Sequence, residues 1–169
     1  CDPDWEIGPF EPIGGKDTPG TANDCIVVPP EVCGDPYTST YTIQGSGLAS
    51  ALDGTEVATE GIVVGDFQVG GKNGYFVQDA AGDLEAATSD GIFVYSTSVD
   101  VNVGDHVRVR GTVDEYYNLT EITGVSQLWV CSSGNSVAPT ALSLPVADVT
   151  DFEPYEGMLV TFPQALVIS

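Results

Sequence analysis

Four carboxylates, Asp79, Asp83, Glu85 and Asp90, fall within twelve positions of the stretch DAAGDLEAATSDGIFVY, residues 79–95, separated mostly by small residues. A short acidic loop is an economical source of the roughly six to eight oxygens that a hard cation such as Ca2+ requires. The spacing is not that of a helix–loop–helix calcium loop, which needs acids at its first, third and fifth positions and glycine at its sixth. Counting from Asp79, the third residue is Ala81 and the glycine, Gly82, comes fourth. Two readings stand: the four side chains converge with loop carbonyls on one Ca2+, or they decorate a solvated connection between strands.

A second set could meet nucleic acid. Tyr75, Tyr95, Tyr116 and Tyr117 offer rings on which bases stack, at about 1–3 kcal/mol per base. The same rings could instead pack a core or cover its ends. Tyr116 and Tyr117 are adjacent, so in extended geometry only one can point inward, leaving the other for the surface. Arg108 and Arg110 are the only arginines and share one face of an alternating strand with His106, while Lys72 precedes a neighbouring strand. This stripe could admit a phosphate or two, or the arginines could pair with the abundant carboxylates.

Charge limits the nucleic-acid reading. Twenty-five acids face four bases, a formal net charge of −21. Affinity for a phosphate backbone comes largely from basic groups that displace counterions. Binding would therefore be weak and salt-sensitive, or bridged by divalent cations. The same balance argues against a membrane-surface role, where basic residues are expected. No apolar run approaches the length of a membrane span, so none is expected. The 169 residues, 42% hydrophobic, suffice for one domain with a true core. The chain opens on Cys1 and a polar stretch, so any targeting segment is expected to be already gone.

The four cysteines, Cys1, Cys25, Cys33 and Cys131, contain no CxxC pair, and His106 is the only histidine, which argues against a zinc site. An even count in an acidic, lysine-poor chain fits an oxidising compartment and two disulfides. Of three possible connectivities the preferred one is Cys33–Cys131 with Cys1–Cys25. The first bridge would tie the segment entering the main domain to the segment leaving it; the second would pin a Pro/Gly-rich arm. The alternative for Cys1 is lipid modification and attachment to a cell surface.

The elements that must position these groups are strands. Residues 1–36, rich in Pro, Gly and Asp, read as an irregular arm. Residues 37–47 begin a β pattern that stops at Gly45-Ser46-Gly47. Strand patterns follow at 56–67, 73–80, 91–96, 105–117 and 119–131. In the fourth, Val107, Val109 and Val113 face one way; His106, Arg108, Arg110 and Thr112 face the other. No long helical periodicity is present, and ADVTDFEPYEG holds one helical turn at most. Residues 37–134 thus form the main domain, and 135–169 a linker and the start of a further β element, ending on an apolar run as if cut from a larger protein. Five strands, the first with a central glycine where it can bend to serve two sheets, predict an all-β, five-stranded OB-fold-like Greek-key barrel. An immunoglobulin-like sandwich is the rival, but it needs about seven strands.

Several phrases occur in a telling order: IQGSG at 43–47, GIVVGDFQ at 61–68, GYFVQD at 74–79, TSDGIFVY at 88–95, VNVGDHVRVRGTVDEYYNLTEI at 101–122 and YEGMLVTFPQ at 155–164. The series resembles the OB-fold-like module of secreted bacterial nucleases, which precedes a catalytic domain of the endonuclease/exonuclease/phosphatase class. The resemblance covers about residues 33–169. It implies a secreted bacterial protein, monomeric, with a catalytic nuclease domain in the same chain and single-stranded or frayed nucleic acid as partner. It also implies that Cys33 and Cys131 are cysteines flanking the barrel. The family's catalysis needs a divalent cation such as Mg2+, held by carboxylates, with a His–Asp pair and an Asn. A single histidine in mid-strand cannot supply that set, so these residues are expected to be non-catalytic. They would present substrate to the catalytic domain or, alternatively, position and stabilise it, with or without Ca2+.

Overall fold

The computed structural model describes residues 31–167. The expected Cys1–Cys25 bridge and nearly all of the expected arm lie outside them. From Val32 onward the chain packs as one compact unit. Its strands are β1 (Glu56–Phe67), β2 (Gly74–Gln78), β3 (Gly91–Tyr95), β4 (His106–Tyr116) and β5 (Leu119–Ser132). Hydrogen bonding runs β1-β2-β3-β5-β4, and β4 returns to β1, so the sheet closes on itself as an OB-fold-like barrel. Neighbours are antiparallel except β3 and β5, which meet in a short parallel seam of two register pairs, Phe93 with Glu121 and Val94 with Ile122.

Period-two alternation dictates the core. Val107, Val109 and Val113 are fully buried, and Val63, Tyr75, Val77, Ile92, Val94 and Ile122 meet them inside the ring. β1 does divide its pairing. Glu56 to Ile62 match β4, and Ile62 to Phe67 match β2, with a bulge between Val63 and Gly65. Gly61 sits at the changeover. A Cβ there would lie 2.6 Å from Val77 Cγ1 and 2.8 Å from the Gln78 carbonyl oxygen, so only glycine lets β2 come this close.

Two expectations are corrected. The β pattern at 37–47 folds instead as a helix, α1 (Thr40–Gln44). Five residues cannot sustain a helix alone. Tertiary contacts decide it: Ile43 is fully buried in the core, Thr40 Oγ1 donates to the Asp90 carbonyl at 2.6 Å, and Gln44 Nε2 donates to the Gly91 carbonyl at 2.7 Å. Second, ADVTDFEPYEG holds more than one turn, a 3-10 helix at Val149–Tyr155 capped by the Asp148 side chain. The residues expected to be a linker also supply a strand. β6 (Thr140–Ala141) pairs in parallel with β7 (Val160–Thr161).

Between the 3-10 helix and β7 the chain crosses the barrel beside the parallel seam. Ser89 Oγ donates to the Glu156 carbonyl at 2.5 Å, and the Leu159 amide donates to Gln78 Oε1 at 2.8 Å. Gly91 and Gly157 pack backbone to backbone; a Cβ on Gly91 would lie 2.3 Å from the Gly157 carbonyl carbon. Glu156 Oε1 accepts from the Thr120 amide at 2.9 Å and from Gln44 Nε2 at 3.3 Å, so one carboxylate joins α1 to the start of β5. Burial pushes its pKa up to about 7, although the Thr120 N–H works the other way. Cys33 and Cys131 form the expected disulfide, closing 98 residues of sequence.

Two outcomes follow for stability. Glu156 binds its proton more tightly in the folded chain than in the unfolded one. Its contribution is complete below about pH 4.5 and is lost as pH rises through about 7. Urea midpoints measured across that window should fall with pH more steeply in the wild type than in Glu156→Gln. Parallel curves would remove Glu156 from this role. Replacing both Cys33 and Cys131 with Ser should lower the unfolding free energy by about 2–5 kcal/mol, and a much smaller loss would show that the bridge adds little to the barrel.

Candidate binding groove

The register sets which side chains share the outer surface. Since Tyr75, Val77, Ile92 and Val94 point inward, Phe76 and Phe93 point outward as partners across β2 and β3, and Tyr95 lies beyond them. Across the seam Phe93 meets Glu121 of β5, and Glu121 meets Asp114 of β4. Tyr116 stands two residues past Asp114 on the same side. With the loop between β1 and β2, these residues form a groove of about 460 Å³, lined by Lys72, Tyr95, Asp114, Tyr116, Glu121 and Thr123 among others. The aromatic surface continues along β2. The Phe76 ring lies 4.9 Å from Phe93 and 5.8 Å from Phe67.

Three of the seven residues expected to contact nucleic acid therefore come together: Lys72, Tyr95 and Tyr116. Tyr95 and Tyr116 are 47% and 57% exposed. Tyr117 is next to the groove and on the surface as well. Its ring packs edge-on against Tyr116 with centroids 4.7 Å apart. Neither of the two adjacent tyrosines is in the core. Tyr117 and Asn118 take positive φ, 52° and 62°, forming the tight turn between Tyr116 and Leu119. Extended geometry ends there, and with it the reason for one ring to point inward.

The other expected contacts are corrected. Tyr75 is fully buried in the core, where burial raises its pKa, so its ring offers no stacking surface. Arg108 is 1% exposed. Its guanidinium donates to Glu60 Oε1 at 2.7 Å and to the carbonyls of Asp35 and Pro36 at 2.9 and 3.1 Å. These contacts also place residues 32–36 with the barrel and not with the arm. Arg110 meets Glu56 Oε1 at 2.7 Å, and His106 Nε2 lies 3.5 Å from Glu60 Oε2. The basic stripe exists, but carboxylates of β1 occupy it. Sequence reasoning missed Glu60, although the β1–β4 register that sets it opposite Arg108 follows from pairing two long alternating strands.

In the acidic loop, Asp79 and Asp83 turn oxygens to their own backbone, while Asp90 Oδ1 is buried with no hydrogen bond among the described residues. Asp79 Oδ1 accepts from the amides of Ala81 and Gly82 at 2.9 and 3.1 Å. Asp83 accepts from the Glu85 amide and the Thr88 hydroxyl, each at about 2.9 Å. Glu85 is exposed. Asp90 packs against Gly82, and burial first, then the charge of Asp83, raises its pKa. The four do not bring three ligand oxygens within 4.8 Å of one another, so the expected convergence on one cation is not the loop's geometry. Among the described residues, the group that does meet this distance is Glu60, His106 and Cys131. Its sulfur is tied up in the disulfide and its carboxylate holds Arg108.

Glu121 and Asp114 were not singled out from sequence, yet they form the floor of the groove. Glu121 is 6% exposed, and among the described residues its carboxylate has no hydrogen bond or ion pair. Burial and then the neighbouring Asp114 push its pKa up. Like charges directly opposite across a ladder are unfavourable unless a cation joins them.

No protein-family model matches the chain, and no curated protein does. Among solved structures the chain is similar to the hypothetical protein ygiW from E. coli, at 28% identity and a TM-score of 0.34, covering 46% of this chain and 75% of that one. It is also similar to OBody AM1L10 in its complex with hen egg-white lysozyme, at 21% identity and a TM-score of 0.36, covering 57% of this chain and 97% of that one. The fold assignment above stands on strand order and register.

Arg108 and Arg110 should separate in mutagenesis. Arg108→Ala takes the buried guanidinium away from Glu60, leaving it, among the described residues, only the Gly34 amide and His106, and should cost about 3–5 kcal/mol in denaturant unfolding. Arg110→Ala removes a partly exposed pair and should cost less than about 1 kcal/mol. Equal, small losses would contradict the buried assignment of Arg108.

Proposed function

We propose that these residues form a non-catalytic accessory module, an OB-type Greek-key barrel of a secreted bacterial nuclease. It acts by docking and positioning its catalytic domain and does not grip the nucleic-acid backbone. The observation that carries this reading is where the arginines go. Arg108 and Arg110 are held by Glu60 and Glu56, and the open groove presents Asp114 and Glu121 beside Lys72. Backbone affinity grows with the number of phosphates neutralised, and this surface has little to neutralise them with. The nuclease association rests on the ordered sequence phrases. A disulfide between Cys33 and Cys131 fits the oxidising compartment that secretion supplies. No helix among the described residues is long and apolar enough to cross a membrane.

A second reading has its own observation. Exposed Tyr95, Tyr116 and Tyr117, with Phe67 at 43% exposure, are rings that bases could stack on. Divalent cations would then have to bridge phosphates to Asp114 and Glu121. A fluorescence-anisotropy titration against a labelled single-stranded oligonucleotide distinguishes the two. At low salt, with and without millimolar Ca2+ or Mg2+, no saturable binding is expected. Saturable binding that weakens with salt and drops in Tyr116→Ala would overturn the docking role and establish the second reading.

A further inference from the structure

The groove floor holds an acid that is largely covered, has no hydrogen-bond or ion-pair partner among the described residues, and keeps its carboxylate oxygens open to the groove. Glu121 is 94% removed from solvent by its 6% exposure, lines the groove floor, and faces Asp114 across the β4–β5 ladder. A largely covered carboxylate that opens only onto a groove is a ready acceptor for a cationic group entering that groove. Tyr95 and Tyr116 stand over the same space, half exposed. Two carboxylates between two tyrosine rings are complementary to a cation that is both planar and rich in donors. A guanidinium meets a carboxylate through paired N–H donors and stacks on an aromatic ring.

We infer that this groove is a docking site for an arginine side chain on a basic segment of a partner protein, with Glu121 and Asp114 as its acceptors and Tyr95 and Tyr116 as its walls. The inference deepens the docking role proposed above and rests on it. The chain's overall charge of −21 favours the approach of a basic segment, and it disfavours a nucleic-acid occupant for the same space. Lys72, at the rim, is an exposed cation that repels such an occupant. A phosphate-bearing ligand would be attracted by it, so Lys72 gives the two ligand classes opposite signs.

The test is isothermal titration of the protein with a short capped peptide containing two arginines, alongside the same peptide with citrulline in their place. The arginine peptide should bind at low salt and the citrulline peptide should not. Glu121→Gln, which removes a buried charge and should fold at least as well, is expected to weaken binding by about tenfold or more. Asp114→Asn and Tyr116→Ala should weaken it less, and Lys72→Ala should strengthen it. Binding that is equal in wild type and Glu121→Gln would be a general effect of the acidic surface and would overturn the site. No binding of the arginine peptide would overturn it too. In either case an absence of oligonucleotide binding leaves the docking role intact on another surface, whereas oligonucleotide binding lost in Tyr116→Ala removes that role as well.

Discussion

The short parallel seam between β3 and β5 is the constraint on which the rest of this structure depends. Everywhere else the ring is closed by antiparallel ladders of five or more paired residues, whereas this join has two pairs. Parallel pairing is also the slightly weaker kind. A barrel with one weak join needs other elements there. α1 supplies hydrogen bonds to Asp90 and Gly91 at the start of β3, and Glu156 reaches from the C-terminal segment to the Thr120 amide at the start of β5. The residues after the 3-10 helix are thus part of the closure and not an appendage.

The same seam creates the groove. Bringing β3 beside β5 sets Phe93 against Glu121, and so places an acid from one segment of sequence under tyrosines from two others. On the opposite pairing, β1 against β4, the register places Glu60 against Arg108, and the charges cancel. One barrel therefore has two polar surfaces of different character. In one, a buried ion pair is satisfied by backbone carbonyls and fixes residues 32–36 in place. In the other, the largely covered Glu121 opens its carboxylate onto the groove with no partner among the described residues. A buried pair of the first kind gains little net stability over an apolar pair, because desolvating both charges offsets much of their attraction. The second kind is where the proposed docking site lies.

The acidic loop illustrates a limit on reading sites from composition. Four carboxylates in twelve residues look like a cation site, but short Asp side chains close Asx turns on their own backbone whenever the following amides are free. Asp79 and Asp83 do this, so two of the four carboxylates are turned to the loop's own amides, while Asp90 Oδ1 is buried without a hydrogen bond among the described residues and Glu85 is exposed. Local competition for backbone donors decided the matter, and no count of acids could have shown it.

Strand positions, the bend in β1 and the inward set Val107, Val109 and Val113 were legible because period-two alternation, turn residues and an interior glycine are all local signals. The pairing of Cys33 with Cys131 was legible from their positions on either side of the strand series, since few other arrangements tie entry to exit. α1 was not legible: its residues favour strand, and only the burial of Ile43 in the finished core makes a five-residue helix stable. Nor were the fates of the tyrosines and arginines. Each depends on what the neighbouring strands present: Tyr75 on the closure of the ring, Arg108 on Glu60, and Tyr95 on the groove it shares with Glu121 once β3 meets β5. The amino-acid sequence by itself determined the five barrel strands and which face of each is apolar. Only the tertiary structure decided which charges cancel and which are left to meet a partner, because strand adjacency and register are properties of the closed ring.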